Sequence, residues 1–94
     1  MLALHPLRPP LDFEQLGAIA DGVVRRYRKL FAPFPDLGYD DLHQEGVIAG
    51  CAAHDFHDPA RWMYATWIER AVRRHLLTLA RTRRQEQPRR RPTA

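Results

Sequence analysis

Two proline-bearing breaks, Ala32-Pro33-Phe34-Pro35 and Asp58-Pro59, constrain this chain more than any other feature. A proline inside a helix removes a backbone hydrogen bond and clashes with the preceding turn, so no helix runs through either break. The three segments they leave carry apolar residues at steps of three and four, which predicts an all-α bundle of three helices. In the first segment Asp12 stands at an N-cap position, and Phe13, Leu16, Ile19 or Ala20, Val23, Tyr27 and Leu30 share one face over about 19 residues. Asp40 is the expected cap of a second helix from Asp41 to Asp55, with Leu42, Ile48 or Ala49, and Ala52 as its buried stripe. Gly46 and Gly50 weaken that helix but let a neighbour approach closely. Asp58 and Pro59 suit the cap and first position of a third helix reaching Arg84. Its inward face is predicted as Tyr64, Ile68, Ala71 or Val72, His75 and Leu79, with Trp67 and Leu76 at the margins.

At 94 residues the chain has room for one core, which excludes two domains. Residues 12–85 form the expected domain. Pro6, Pro9 and Pro10 keep residues 1–11 extended, and Pro88 and Pro92 among Arg89, Arg90 and Arg91 predict a disordered basic tail over 86–94. The single cysteine, Cys51, excludes an internal disulfide and points to a reducing, cytoplasmic compartment. No apolar run is long enough for a membrane helix, and the first residues lack the pattern of a leader peptide.

Charge is distributed unevenly along the chain. Residues 1–60 carry five basic and nine acidic side chains, a net of −4, whereas residues 61–94 carry ten arginines and two glutamates, a net of +8. The basic third suits a polyanion such as nucleic acid, and the acidic part suits a basic protein surface. Arg61, Trp62, Tyr64, Thr66, Trp67, Arg70, Arg73 and Arg74 together have the aromatic and basic character that stacks unpaired bases and follows a phosphate backbone. Arg81 and Arg84 extend the cationic stripe, while Tyr64 and Trp67 equally fit a core. Asp41, Gln44 and Glu45 project from one side of the second helix, either as a solvated face or as a docking surface.

Enzyme chemistry is not expected. No glycine-rich phosphate loop, paired-carboxylate site or serine triad is visible, and Cys51 has neither a charge partner nor an oxyanion loop. His43, Cys51, His54 and His57 have metal-ligand character, but a closed zinc site normally shows two paired ligand blocks, so no metal or other cofactor is predicted.

From Tyr39 to Ile48 the sequence YDDLHQEGVI resembles region 2 of bacterial sigma factors, the subunits that direct RNA polymerase to promoters. The resemblance extends upstream to Tyr27-Arg28-Lys29 and downstream through Phe56-His57-Asp58-Pro59-Ala60-Arg61, Tyr64-Ala65-Thr66-Trp67 and Ala80-Arg81-Thr82-Arg83-Arg84. It covers residues 23–84 with its pieces in the family's order. Only Trp62 and Met63 separate Arg61 from Tyr64, a spacing similar to that of the compact extracytoplasmic-function sigma factors.

The resemblance implies that Asp41, Gln44, Glu45, Val47 and Cys51 meet the coiled coil of the polymerase β′ clamp, Val47 replacing a usual polar residue. It further implies that the third helix faces promoter DNA, including the single-stranded −10 region. Arg70 and Arg73 stand where the family reads bases, and arginine there supplies phosphate affinity with a different base preference. The shortened loop before Tyr64 leads us to expect weak strand opening by this chain alone. The match ends where regions 3 and 4 would begin, so a −35 element is expected to be read only by a second protein supplying region 4. A half of a split sigma factor, a phage or mobile-element regulator, a competing inhibitor of transcription, a small basic nucleic-acid-binding protein and a pure protein-interaction module all fit these residues.

Overall fold

The computed structural model describes residues 8–86, which form three α-helices and no strand. Helix α1 spans Phe13–Tyr27 and tightens into a 3₁₀ turn over Arg28–Phe31, together the predicted length. Asp12 caps it, its side chain accepting from the backbone N–H of Glu14 at 2.9 Å and of Gln15 at 3.3 Å. Leu16, Ala20, Val23 and Val24 are buried, but Phe13 at the helix start, expected in the buried stripe, is 62% exposed and lies outside it.

The double-proline connector does more than end a helix. Phe34, between Pro33 and Pro35, is 2% exposed and packs edge-on against Phe31, with ring centroids 6.4 Å apart. Successive turns, Phe34 N–H to Phe31 O and Leu37 N–H to Phe34 O, carry the chain over the end of the bundle.

Helix α2 spans Tyr39–His54 and begins before the expected Asp40 cap, because the Asp41 carboxylate folds back to accept the Gly38 N–H at 3.1 Å. Its buried positions are Leu42, Gly46, Gly50 and His54, whereas Ile48 is 53% exposed, Ala49 half-buried and Ala52 exposed. The physical reason lies in its neighbours. A Cβ at Gly46 would sit 3.0 Å from the Ala20 Cβ and 3.2 Å from Val72 Cγ1, and one at Gly50 would sit 3.2 Å from Leu16 Cδ2. With α1 and α3 both this close, the inward face must be thin, and the bulky Ile48 is turned to solvent.

Asp58 and Pro59 form a separate turn rather than the start of the third helix. The Asp58 carboxylate accepts the Ala60 N–H, and its carbonyl accepts from both Arg61 and Trp62. Helix α3 then spans Tyr64–Glu86, so Glu86, placed in the tail by sequence, is helical. The rest of the predicted tail, residues 87–94, and residues 1–7 of the predicted extended segment lie outside the described residues. The buried face of α3 is Ile68, Val72, Leu76 and Ala80, at steps of four. Leu76, expected at the margin, is fully buried, while Tyr64, His75 and Leu79 are half-buried. No helix among the described residues is long and apolar enough to cross a membrane.

Candidate nucleic-acid interface and acidic face

The outer surface of α3 is built by spacing alone. Arg70, Arg74, Leu77, Arg81 and Arg84 follow one another at alternating steps of four and three, and all five are exposed. At a rise of about 1.5 Å per residue the row spans about 21 Å. Arg73 is half-buried beside it, and Arg61 and Thr66 are exposed nearer the start of the helix. Arg83 points elsewhere, donating to Asp36 at 2.5 Å with its guanidinium 5.7 Å from the Phe34 ring centroid. That hydrogen bond holds the Asp36 carboxyl below its usual range.

The three aromatic residues assigned to this surface have separate fates. Trp62 is half-buried, with the Arg70 guanidinium 4.6 Å from its ring centroid, so an arginine and an indole stand together at the edge of the stripe. With Arg61, Met63, Tyr64, Pro9 and Pro59 it also lines an open groove of about 480 Å³. Trp67 is tied inward, its Nε1–H donating to Ala53 O at 2.8 Å. The Tyr64 hydroxyl is 2.6 Å from His54 Nδ1, and its ring stands edge-on to both His54 and His57. Burial, followed by the nearby Cys51, pushes the Tyr64 phenol up. Tyr64 and Trp67 therefore join α2 to α3.

Buried His57 fixes the turn before α3. Its Nε2 lies 2.8 Å from Trp62 O, and the Arg8 guanidinium donates to the His57 carbonyl at 3.1 Å. The histidines and cysteine with ligand character do not converge. His43 Nε2 bonds Gly17 O on α1 while His54 bonds Tyr64 and His57 bonds Trp62. No group of three such side chains among the described residues is placed to hold a metal ion.

The residues assigned to the clamp contact divide among three directions. Asp41 and Gln44 are exposed on the outer face of α2. Glu45, half-exposed, turns toward α3 and pairs with His75 at 2.7 Å. Val47 and Cys51 are half-buried and pack against the core. Sequence reasoning missed Ile48, Ala52 and Asp55, which share the outer face with Asp41 and Gln44, and Leu77 within the arginine row. The signal was present as a seven-residue step: Asp41, Ile48 and the C-cap Asp55 along one helix, and Arg70, Leu77 and Arg84 along the other. Comparison of the chain with protein-family models, with curated proteins and with solved structures finds no match.

Proposed function

We propose that this chain is a sigma region 2-like transcription initiation protein, acting without catalysis by joining promoter DNA to core RNA polymerase. The observation that carries this reading is the division of charge between two helices: Asp41, beside the polar Gln44, stands exposed on α2 with Asp55 exposed at its C-cap, and Arg70, Arg74, Arg81 and Arg84 stand exposed on α3. A basic coiled coil such as that of the polymerase β′ clamp complements the first face. A phosphate backbone complements the second, with Trp62 beside it as a surface for an unpaired base. In this reading Glu45, Val47 and Cys51 act at the edges of the clamp contact. Arg61, Thr66 and Arg73 flank the DNA path, whereas Tyr64 and Trp67 hold the helix that presents it.

A second reading is a small nucleic-acid-binding protein, or an inhibitor that occupies the sigma site. The inward ties of Trp67 and Tyr64 favour it, because they leave fewer aromatic faces to capture melted bases. A pull-down of core RNA polymerase, with native sigma as competitor, separates the polymerase-binding readings, initiator or inhibitor, from the small nucleic-acid-binding protein, and transcription from a promoter with core enzyme then separates initiator from inhibitor. The first reading expects retention that native sigma displaces and that Asp41→Arg with Gln44→Arg abolishes while helical content persists. Absence of retention, with single-stranded DNA still bound, selects the small binding protein.

A further inference from the structure

The exposed faces of α2 and α3 match each other as well as outside partners. On α2, Asp41, Ile48 and the C-cap residue Asp55, whose backbone is still right-handed helical, stand at seven-residue steps, with Gln44 and Ala52 between them. On α3, Arg70, Leu77 and Arg84 stand at the same steps, with Arg74 and Arg81 between them. Each row is therefore charged, apolar, charged, and each extends about 21 Å along its helix. Ile48 is 53% exposed and Leu77 36% exposed, so both rows offer an uncovered aliphatic side chain at their centre. None of Asp41, Asp55, Arg70, Arg74, Arg81 or Arg84 has an intramolecular salt bridge among the described residues.

A seven-residue step drifts by about 20° per repeat around a helix of 3.6 residues per turn, in the same sense on both helices. Two such rows stay in register when the helices cross at about 20°, the geometry of left-handed helix pairs. Within one molecule α2 and α3 already face each other through their buried sides, so the outer rows cannot meet in the same copy. They are free to meet between copies.

We propose that the outer face of α2 in one copy docks on the arginine row of α3 in a second copy, with Ile48 against Leu77 and aspartates against arginines. The contact joins two different surfaces, so each added copy leaves one acidic and one basic face open and association continues head to tail. Contacts between surface charges are individually weak, so the expected Kd is on the order of 10–100 μM at low ionic strength. Self-association covers both faces that an outside partner would use, and DNA bound to the arginine row therefore disperses the oligomer. Neither outside partner is needed for the contact, so its test is independent of the proposed function.

Sedimentation velocity of the full chain, alone, tests it over a concentration series at about 0.1 M and about 1 M salt, where the screening length falls from about 10 Å to about 3 Å. Concentration-dependent growth at the lower salt and a monomer at the higher are expected. Asp41→Arg with Asp55→Arg should raise the Kd at least about tenfold, as should Arg70→Glu with Arg84→Glu, and an equimolar mixture of the two variants should associate again. Circular dichroism verifies that both remain helical. Ile48→Ser with Leu77→Ser, which leaves every charge in place, should also weaken association. A wild-type monomer at every concentration, growth that survives 1 M salt or the charge reversals, or a mixture that stays monomeric would overturn the proposal.

Discussion

Helices α2 and α3 lie side by side, yet they solve burial with opposite materials. On α3 the inward positions Ile68, Val72, Leu76 and Ala80 form an aliphatic ridge, and the opposite side is free for arginine. On α2 two of the four inward positions are glycine, because α1 and α3 approach from both sides and leave no room for a side chain. The ridge fixes α3 by the area it removes from water. The glycine face contributes little area of its own, and α2 is held by how closely its neighbours fit around it. The composition of the outer faces follows from the same difference. Helix α2 need not spend its large side chains inward, and Ile48 is left outside among Asp41, Gln44 and Asp55.

The contrast is most directly broken by shortening the ridge. Leu76→Ala should cost about 2–5 kcal/mol of stability, the range for emptying a packed leucine site, and Ile48→Ala less than about 0.5 kcal/mol. Urea denaturation monitored by circular dichroism measures both, and a comparable loss for Ile48→Ala would place that residue in the core.

Glycine substitutions sharpen the other side. At Gly46 an added methyl meets the Ala20 Cβ at 3.0 Å, which no side-chain rotation relieves, so strain of about 1–3 kcal/mol outweighs a helix-propensity gain of about 1 kcal/mol. Gly22 on α1 has nothing within 4 Å of such a methyl, and Gly22→Ala should stabilise by up to about 1 kcal/mol. The same denaturation experiment should give opposite signs for the two variants.

Within α3 the aromatic and arginine positions should separate in binding. Arg74→Ala and Arg81→Ala should each lower the salt dependence of single-stranded DNA affinity by about one ion while leaving stability unchanged. Trp67→Phe, which removes the bond to Ala53 O, should instead cost about 1 kcal/mol of stability and leave DNA affinity unchanged. Fluorescence titrations at several salt concentrations, paired with thermal melts, distinguish these roles.

The smallest effect concerns pH at the connector end. The Tyr39 hydroxyl, then the Arg25 guanidinium, hold Asp21 below the ordinary carboxylate range, and Arg83 does the same for Asp36. Because both folded values are lowered, the stability they contribute is complete above the unfolded value of about 4 and lost as pH falls through the folded ones. The melting temperature should therefore decline below about pH 4, and Asp36→Asn should reduce that decline. An unchanged decline in the variant would assign it to other carboxylates.

The segment count was legible in the sequence because proline chemistry is local: Pro33, Pro35 and Pro59 act on their own backbone wherever the chain goes. The Asp12 cap was legible for the same reason, as was the arginine row, since a helix places residues three and four apart on one face without reference to anything else. The seven-residue step of Asp41, Ile48 and Asp55 links Ile48 to the charged face, but making the glycine side the inward one required knowing that two helices close on α2, a fact of packing. The start of α3 was equally hidden, because Asp58 can cap a helix or a turn and the contacts of His57 with Trp62 and Arg8 accompany the turn. The roles of Tyr64 and Trp67 depended on whether a partner stood within reach. His54 Nδ1 and Ala53 O do, and an aromatic side chain with a polar tip packs inward where its tip is satisfied. The sequence by itself determined what is written in the backbone and the helical repeat. Only the tertiary structure decided which side of each helix meets another, because that depends on the volume left between them.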